Sequence, residues 1–118
     1  MTTELGKELR KLRIDRNERL LDMAGKIGKS VAFVSAVEVG KKSPPTGFEE
    51  KIIKTYGLAE RAAAAVRSAA DKSRKVFSIE PTSVLGRDTA GLLARRMNSL
   101  SDEQLEEIKE ILKRGTDE

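Results

Sequence analysis

Arg10, Arg13, Arg16, Arg19, Lys26, Lys29, Lys41 and Lys42 fall within the first 42 residues of a 118-residue chain. Guanidinium and ammonium groups at that density offer donors to phosphate oxygens, so the chemistry to expect of them is the binding of a polyanion. The chain has no histidine and no cysteine. It therefore lacks the commonest general bases, thiol nucleophiles and soft metal ligands. A disulfide scaffold and thiolate-bound zinc are excluded, which fits a reducing cytosol. Carboxylates could still do acid–base work, but Glu103, Glu106, Glu107 and Glu110 cluster in the pattern of a solvated helix face. No catalytic residue, cofactor or metal is expected, and a chain this short leaves little room for a substrate pocket.

The charge is unevenly spread. Residues 1–75 carry 17 Lys/Arg against 10 Asp/Glu, and residues 76–118 carry 6 against 9. A basic front and an acidic back predict one end for a polyanion and another for protein contacts. No apolar run approaches the ~20 residues of a membrane span. The start, Met1-Thr2-Thr3-Glu4, lacks the basic and apolar regions of a signal peptide. A cytoplasmic protein without membrane partners is expected.

The elements that must position these cations are helices. Leu5, Leu9 and Leu12 recur at the spacing of one helical face, predicting a first helix over 3–16 that breaks near Asn17. Leu20, Met23, Ala24 and Ile27 predict a second, closed by Gly28, a residue that tolerates the left-handed C-cap. Ser30 is placed to cap a third over 31–37, with Val34 and Val37 on its inner side. Lys41-Lys42-Ser43-Pro44-Pro45 reads as a basic turn, and Thr46 as the cap of a fourth helix through Phe48, Ile52, Ile53 and Tyr56. A fifth is predicted over 58–75, with an alanine-rich stripe of Ala62, Ala65, Val66, Ala69 and Ala70.

Residues 76–80 alternate apolar and polar before Pro81, which fits a short strand or an extended linker. Gly86 is placed in the loop that follows. Asp88 then opens a helix with Leu92, Leu93, Met97 and Leu100. Ser101-Asp102-Glu103-Gln104 has the form of a capping box, with Leu105, Ile108, Ile111 and Leu112 behind it.

Residues 23–42 carry the functional signal. A small residue, Ala24, stands where two helices would cross closely, Gly28 makes the turn, and Val34 and Val37 anchor the third helix. Val31, Ala32, Ser35 and Ala36 then face outward, on a helix narrow enough to enter a major groove.

This pattern resembles the XRE family, the Cro and lambda-repressor type of helix-turn-helix regulators. The match runs from about Leu5 to Leu58. It includes Leu9-Arg10-Lys11-Leu12-Arg13 and Val37-Glu38-Val39-Gly40-Lys41-Lys42. The resemblance implies an all-α fold: a five-helix lambda-repressor-like domain over 1–75, then a short extended linker and a two-helix tail over 76–118. It implies a pair between Arg13 and Glu38 that steadies the third helix. It places Ser30, Val31, Ala32, Phe33, Ser35 and Ala36 towards bases, and Arg10, Arg13, Arg19, Lys29, Lys41 and Lys42 towards phosphates of double-stranded DNA.

The sequence departs from the family in two respects. Many members start the second helix with a phosphate-contacting Gln, where this chain has Leu20 beside Arg19. Base-reading positions that often carry Gln, Asn or Arg hold Val31, Ala32 and Ala36, which can touch thymine methyls but make no bidentate bonds to bases. Specificity should lean on phosphate contacts and DNA shape.

The tail reads as a dimerisation or partner-binding element. Phe77, Ile79, Leu92, Leu93, Met97, Leu105, Ile108, Ile111 and Leu112 are more apolar than a short free tail leaves in water. A homodimeric repressor of a prophage, mobile-element or toxin–antitoxin operon is expected. The alternative is an antitoxin or protein-binding module whose tail engages a toxin or metallopeptidase.

Overall fold

The computed structural model describes residues 2–115. Met1 of the signal-peptide reading and residues 116–118, with the last two acids of the charge count, lie outside the described residues. The described residues form α1 (Glu4–Asp15), α2 (Leu20–Ile27), α3 (Val31–Glu38), α4 (Phe48–Tyr56), α5 (Glu60–Lys72), α6 (Val84–Arg96), a 3-10 turn (Met97–Ser99) and α7 (Asp102–Lys113), with no strand among them. The protein is all-α. One compact unit ends at Phe77 and a second begins at Ser78. No helix among the described residues is long and apolar enough to cross a membrane.

In the first unit, Thr3 caps α1 by accepting from Gly6 N–H at 3.0 Å. Its own backbone N–H and its hydroxyl both donate to the Glu38 carbonyl, at 2.9 and 3.1 Å. The start of α1 is thereby tied to the end of α3. The approach is close: a Cβ on Gly6 would stand 2.3 Å from that same carbonyl oxygen. Glycine within a helix costs stability on its own, and here, in the first turn, it is what lets α1 meet α3.

Asn17 leaves α1 in the left-handed region at φ 55. α2 ends on Gly28, also left-handed at φ 69, and Ser30 starts α3 by accepting from Phe33 N–H at 3.0 Å. α1 packs on α3 and α5, α2 on α3 and α4, and α4 on α5. Leu5, Leu9, Met23, Val34, Val37 and Ile52 lie at the centre, fully buried.

Several elements differ from expectation. Gly47, at φ 85, takes the N-cap position of α4 in place of Thr46. α5 is shorter than 58–75, and it buries Ala63, Val66, Ala69 and Ala70 while Ala62 and Ala65 stay exposed. An all-alanine run has no periodicity to show which side faces in, so packing against α1 and α4 decides it. Residues 76–80 form no strand; an isolated alternating segment finds no partner for its backbone groups. α6 begins at Val84 rather than Asp88, because the Ser83 hydroxyl accepts from Gly86 N–H at 2.9 Å. Gly86 therefore lies in the first turn of a helix and not in a loop. The capping box of α7 is present: Gln104 N–H donates to Ser101 Oγ at 3.1 Å, and Ser101 N–H donates to Gln104 Oε1 at 2.9 Å.

Candidate nucleic-acid interface

α3 is eight residues long, and two of its inward residues fix its orientation. With Val34 and Val37 buried, Val31 and Ala32 are exposed, and Ser35 and Ala36 are half-buried beside them. Ser30 is exposed at the start, its oxygen engaged as the cap but its hydroxyl proton still available. The exposed face is thus apolar, small and bordered by hydroxyls.

Cations stand at both ends of this face. Lys29 precedes it, in the turn, and donates its backbone N–H to Ala24 O at 2.9 Å. Lys41 and Lys42 follow it. Both donate their backbone N–H groups to Ala36 O, at 2.9 and 3.1 Å, and Gly40 makes this possible at φ 81. The two lysines are therefore fixed against the end of α3 while their side chains remain exposed.

Phe33, also expected to face bases, sits between these ends. It is half-buried, packs against the core and lies 6.0 Å from the Phe48 ring. The Lys29 and Lys42 ammonium groups stand 5.2 and 5.3 Å from its centroid. Attraction to the ring face biases both lysines towards α3.

Arg13 and Glu38 meet directly. Their side chains are buried, Arg13 Nη2 donates to Glu38 Oε1 at 3.2 Å, and Nη1 bonds the other carboxylate oxygen. Nη1 also lies 3.4 Å from Met23 Sδ. The same geometry sets Arg13 apart from the exposed cations: its guanidinium is buried against Glu38 and Met23.

The remaining arginines and lysines divide. Arg10 is exposed and touches Thr2 Oγ1 at 3.3 Å. Arg19 is exposed at the start of α2, where the Asp22 carboxylate accepts from its backbone N–H at 2.8 Å and from Nε at 3.3 Å. This doubled bonding, first from the guanidinium, holds the Asp22 carboxyl below its usual range. Arg16 and Lys26 gather at Tyr56. Arg16 lies over the Tyr56 ring at 5.0 Å and donates to Tyr56 O at 3.2 Å. Lys26 lies over the same ring at 5.4 Å and bonds Glu18. The Tyr56 hydroxyl donates to Glu18 at 2.7 Å. Lys26 first, then Tyr56, holds the Glu18 carboxyl low. Burial, reinforced by that carboxylate, pushes the phenol up. These two cations secure the α1–α2 loop to α4.

Lys51 was not among the expected contacts. With Lys29, Gly28 and Gly47 it lines an open cleft of about 440 Å³ at the start of α4. The carboxylates of the first turn of α4 are already engaged: Glu49 with Arg74 at 2.6 Å and Glu50 with Arg67 at 2.8 Å. The stripe of Phe48, Ile52 and Tyr56 turns to the core and leaves Lys51 outside it, but that Lys51 and Lys29 line one cleft depends on the packing of α2 against α4.

Most of the tail residues belong to the second unit. Ile79, Leu92, Met97, Ile111 and Leu112 are exposed, as is Phe77 at the end of the first unit, whereas Leu93, Leu105 and Ile108 are half-buried. Among the described residues there is no cluster of carboxylates able to hold a metal ion. No protein-family model, no curated protein and no solved structure matches the chain.

Proposed function

We propose that the protein is a DNA-binding transcriptional regulator of helix-turn-helix type, with α2 and α3 as the paired helices and α3 as the helix that enters the major groove. One observation carries this reading: an outward α3 face of Val31 and Ala32, free of large side chains, with exposed lysines pinned at both ends. An α-helix fits the major groove, and cations at its ends meet the phosphates that border it. The buried Arg13–Glu38 pair and the Thr3 bonds to Glu38 O hold α3 rigidly on α1, as a reading element needs. Direct readout is confined to Ser30, Ser35 and apolar contact with thymine methyls. Phosphate contacts fall to Lys29, Lys41 and Lys42, with Arg10, Arg19 and Lys51 at the margins. A single such helix reads few base pairs, so two copies on two half-sites are implied, acting as a repressor.

The test is a selection from a random duplex pool, followed by titration of the selected site across a salt series. Log affinity should fall with log salt at a slope near −0.9 per neutralised phosphate, on the order of −4 or steeper. Lys42→Glu should weaken specific and random duplexes alike, and exchanging thymine for uracil in the site should weaken binding only where a methyl is touched. A flat salt response, or failure to select any duplex, overturns the reading.

A further inference from the structure

α6 and α7 bury no residue among those described. Helices of 13 and 12 residues are too short to persist in water on intrinsic preference, and most helical stability comes from covering an apolar face. On α6, Leu85 is 75% and Leu92 53% exposed. They lie two turns apart on one face, and Arg95 and Arg96 stand one turn beyond Leu92. On α7, Ile111 is 57% and Leu112 69% exposed, with Glu107 one turn before Ile111 and Glu103 one turn before that. Within one chain, α6 does not pack along α7.

The two helices carry opposite charge. α6 has three arginines and one aspartate, and α7 has five carboxylates and two lysines. Among the described residues, Arg95, Arg96, Glu103 and Glu107 enter no ion pair. A surface made for an unrelated protein needs complementarity to that protein only. A surface with one basic and one acidic helix, each beside exposed apolar residues, is complementary to itself, which is what a twofold interface requires.

We propose that this face docks a second copy of the chain, with α6 of each copy against α7 of the other. Leu85 and Leu92 would cover Ile111, which shares its side of α7 with Glu103 and Glu107, and the arginines would stand opposite those glutamates. The apolar contacts supply the association, and the charges fix which helix meets which. The pairing rests on the two-copy regulator reading, but it is measured without DNA, so either can fail alone.

Charge exchange in the full chain decides it, read by sedimentation equilibrium at about 50 µM, a range where weak self-association shows by mass action. One variant carries Arg95→Glu and Arg96→Glu, another Glu103→Lys and Glu107→Lys, and a third carries all four changes. The unaltered chain should be a dimer. Each of the first two should dimerise at least about tenfold more weakly, since like charges then face each other at both contacts. An equimolar mixture of the two should regain the dimer, because both of its contacts are complementary again, and the third variant should self-associate alone. Far-ultraviolet circular dichroism confirms that every chain is folded. A monomeric unaltered chain overturns the proposal and leaves the face to a different protein. Undiminished dimers in the first two variants place the interface elsewhere. Recovery in the four-fold variant without recovery in the mixture shows α6 meeting α7 of its own chain, which also overturns it.

Discussion

The leucine stripe of α1 and the apolar stripe of α7 have the same helical spacing but different environments. Leu5 and Leu9 are fully buried, whereas Leu105 and Ile108 are half-covered and Ile111 and Leu112 exposed. The charges differ in parallel. In the first unit the carboxylates of Glu38, Glu49 and Glu50 each hold an arginine from a distant part of the chain. In the second, helix boundaries are set by local hydroxyl and amide caps at Ser83, Ser101 and Gln104. Local capping is enough to say where a helix starts. It contributes about 0.5–2 kcal/mol per cap, too little to hold a unit together, and long-range burial must do that.

Breaking the buried ion pair should separate the two regions most sharply. Glu38→Ala leaves the Arg13 guanidinium buried without its carboxylate, and such a loss costs about 3–5 kcal/mol. Thermal unfolding should drop steeply and DNA binding with it. A change below about 1 kcal/mol would show that the pair is solvated in practice.

Gly6→Ala comes next. The new methyl meets the Glu38 carbonyl, which is backbone and cannot swing aside, so a net loss of about 1–3 kcal/mol is expected despite the better helix propensity of alanine. Gly25→Ala, where nothing lies within 4 Å, should instead stabilise by about 0.4–1 kcal/mol. Equal effects at the two glycines would deny the close approach of α1 and α3.

Acid should loosen the first unit through the same long-range pairs. Arg74 holds the Glu49 carboxyl low, and Arg67 does so for Glu50. A carboxyl with a depressed folded pKa stabilises above its unfolded value, about 4.3 for glutamate. That contribution is lost as pH falls through the lower folded value. Melting temperature should therefore decline below about pH 4.3. In Glu49→Gln the melting temperature should be lower at neutral pH and its acid decline shallower. An unaltered acid limb would remove Glu49 from this account.

The smallest effect belongs to the tail. Ile111→Ser should change the unfolding of the first unit by no more than about 0.5 kcal/mol, as an exposed substitution does, while weakening self-association. Undiminished self-association would remove Ile111 from the interface.

Much of the first unit was legible because its signals are local. The span of α2, the left-handed Gly28, the Ser30 cap and the inward Val34 and Val37 all follow from spacing and cap chemistry within a few residues. The Arg13 and Glu38 roles followed from resemblance, and the structure brings the two side chains together. Gly6 carries a signal in the sequence: a glycine inside a leucine-patterned helix marks a close approach. Phe33 carried none. Its type fits an exposed contact or a core residue equally, and only the placement of Phe48, Lys29 and Lys42 around it separates them.

The sequence by itself determined the helices of the first unit, the Gly28 turn, the Ser30 and Ser101 caps, and a basic front with an acidic back, because these depend on neighbours within one or two turns or on composition alone. Tertiary structure decided which charges remain available. Arg13, Arg16 and Lys26 look in sequence like Lys29, Lys41 and Lys42, yet the first three are drawn to Glu38, Tyr56 and Glu18 while the others stay at the surface beside α3. It also decided which face of the alanine-rich α5 is buried and how near α1 comes to α3. These are outcomes of packing between residues far apart in the chain, where a side chain's partner is fixed by the meeting of helices and leaves no periodic trace.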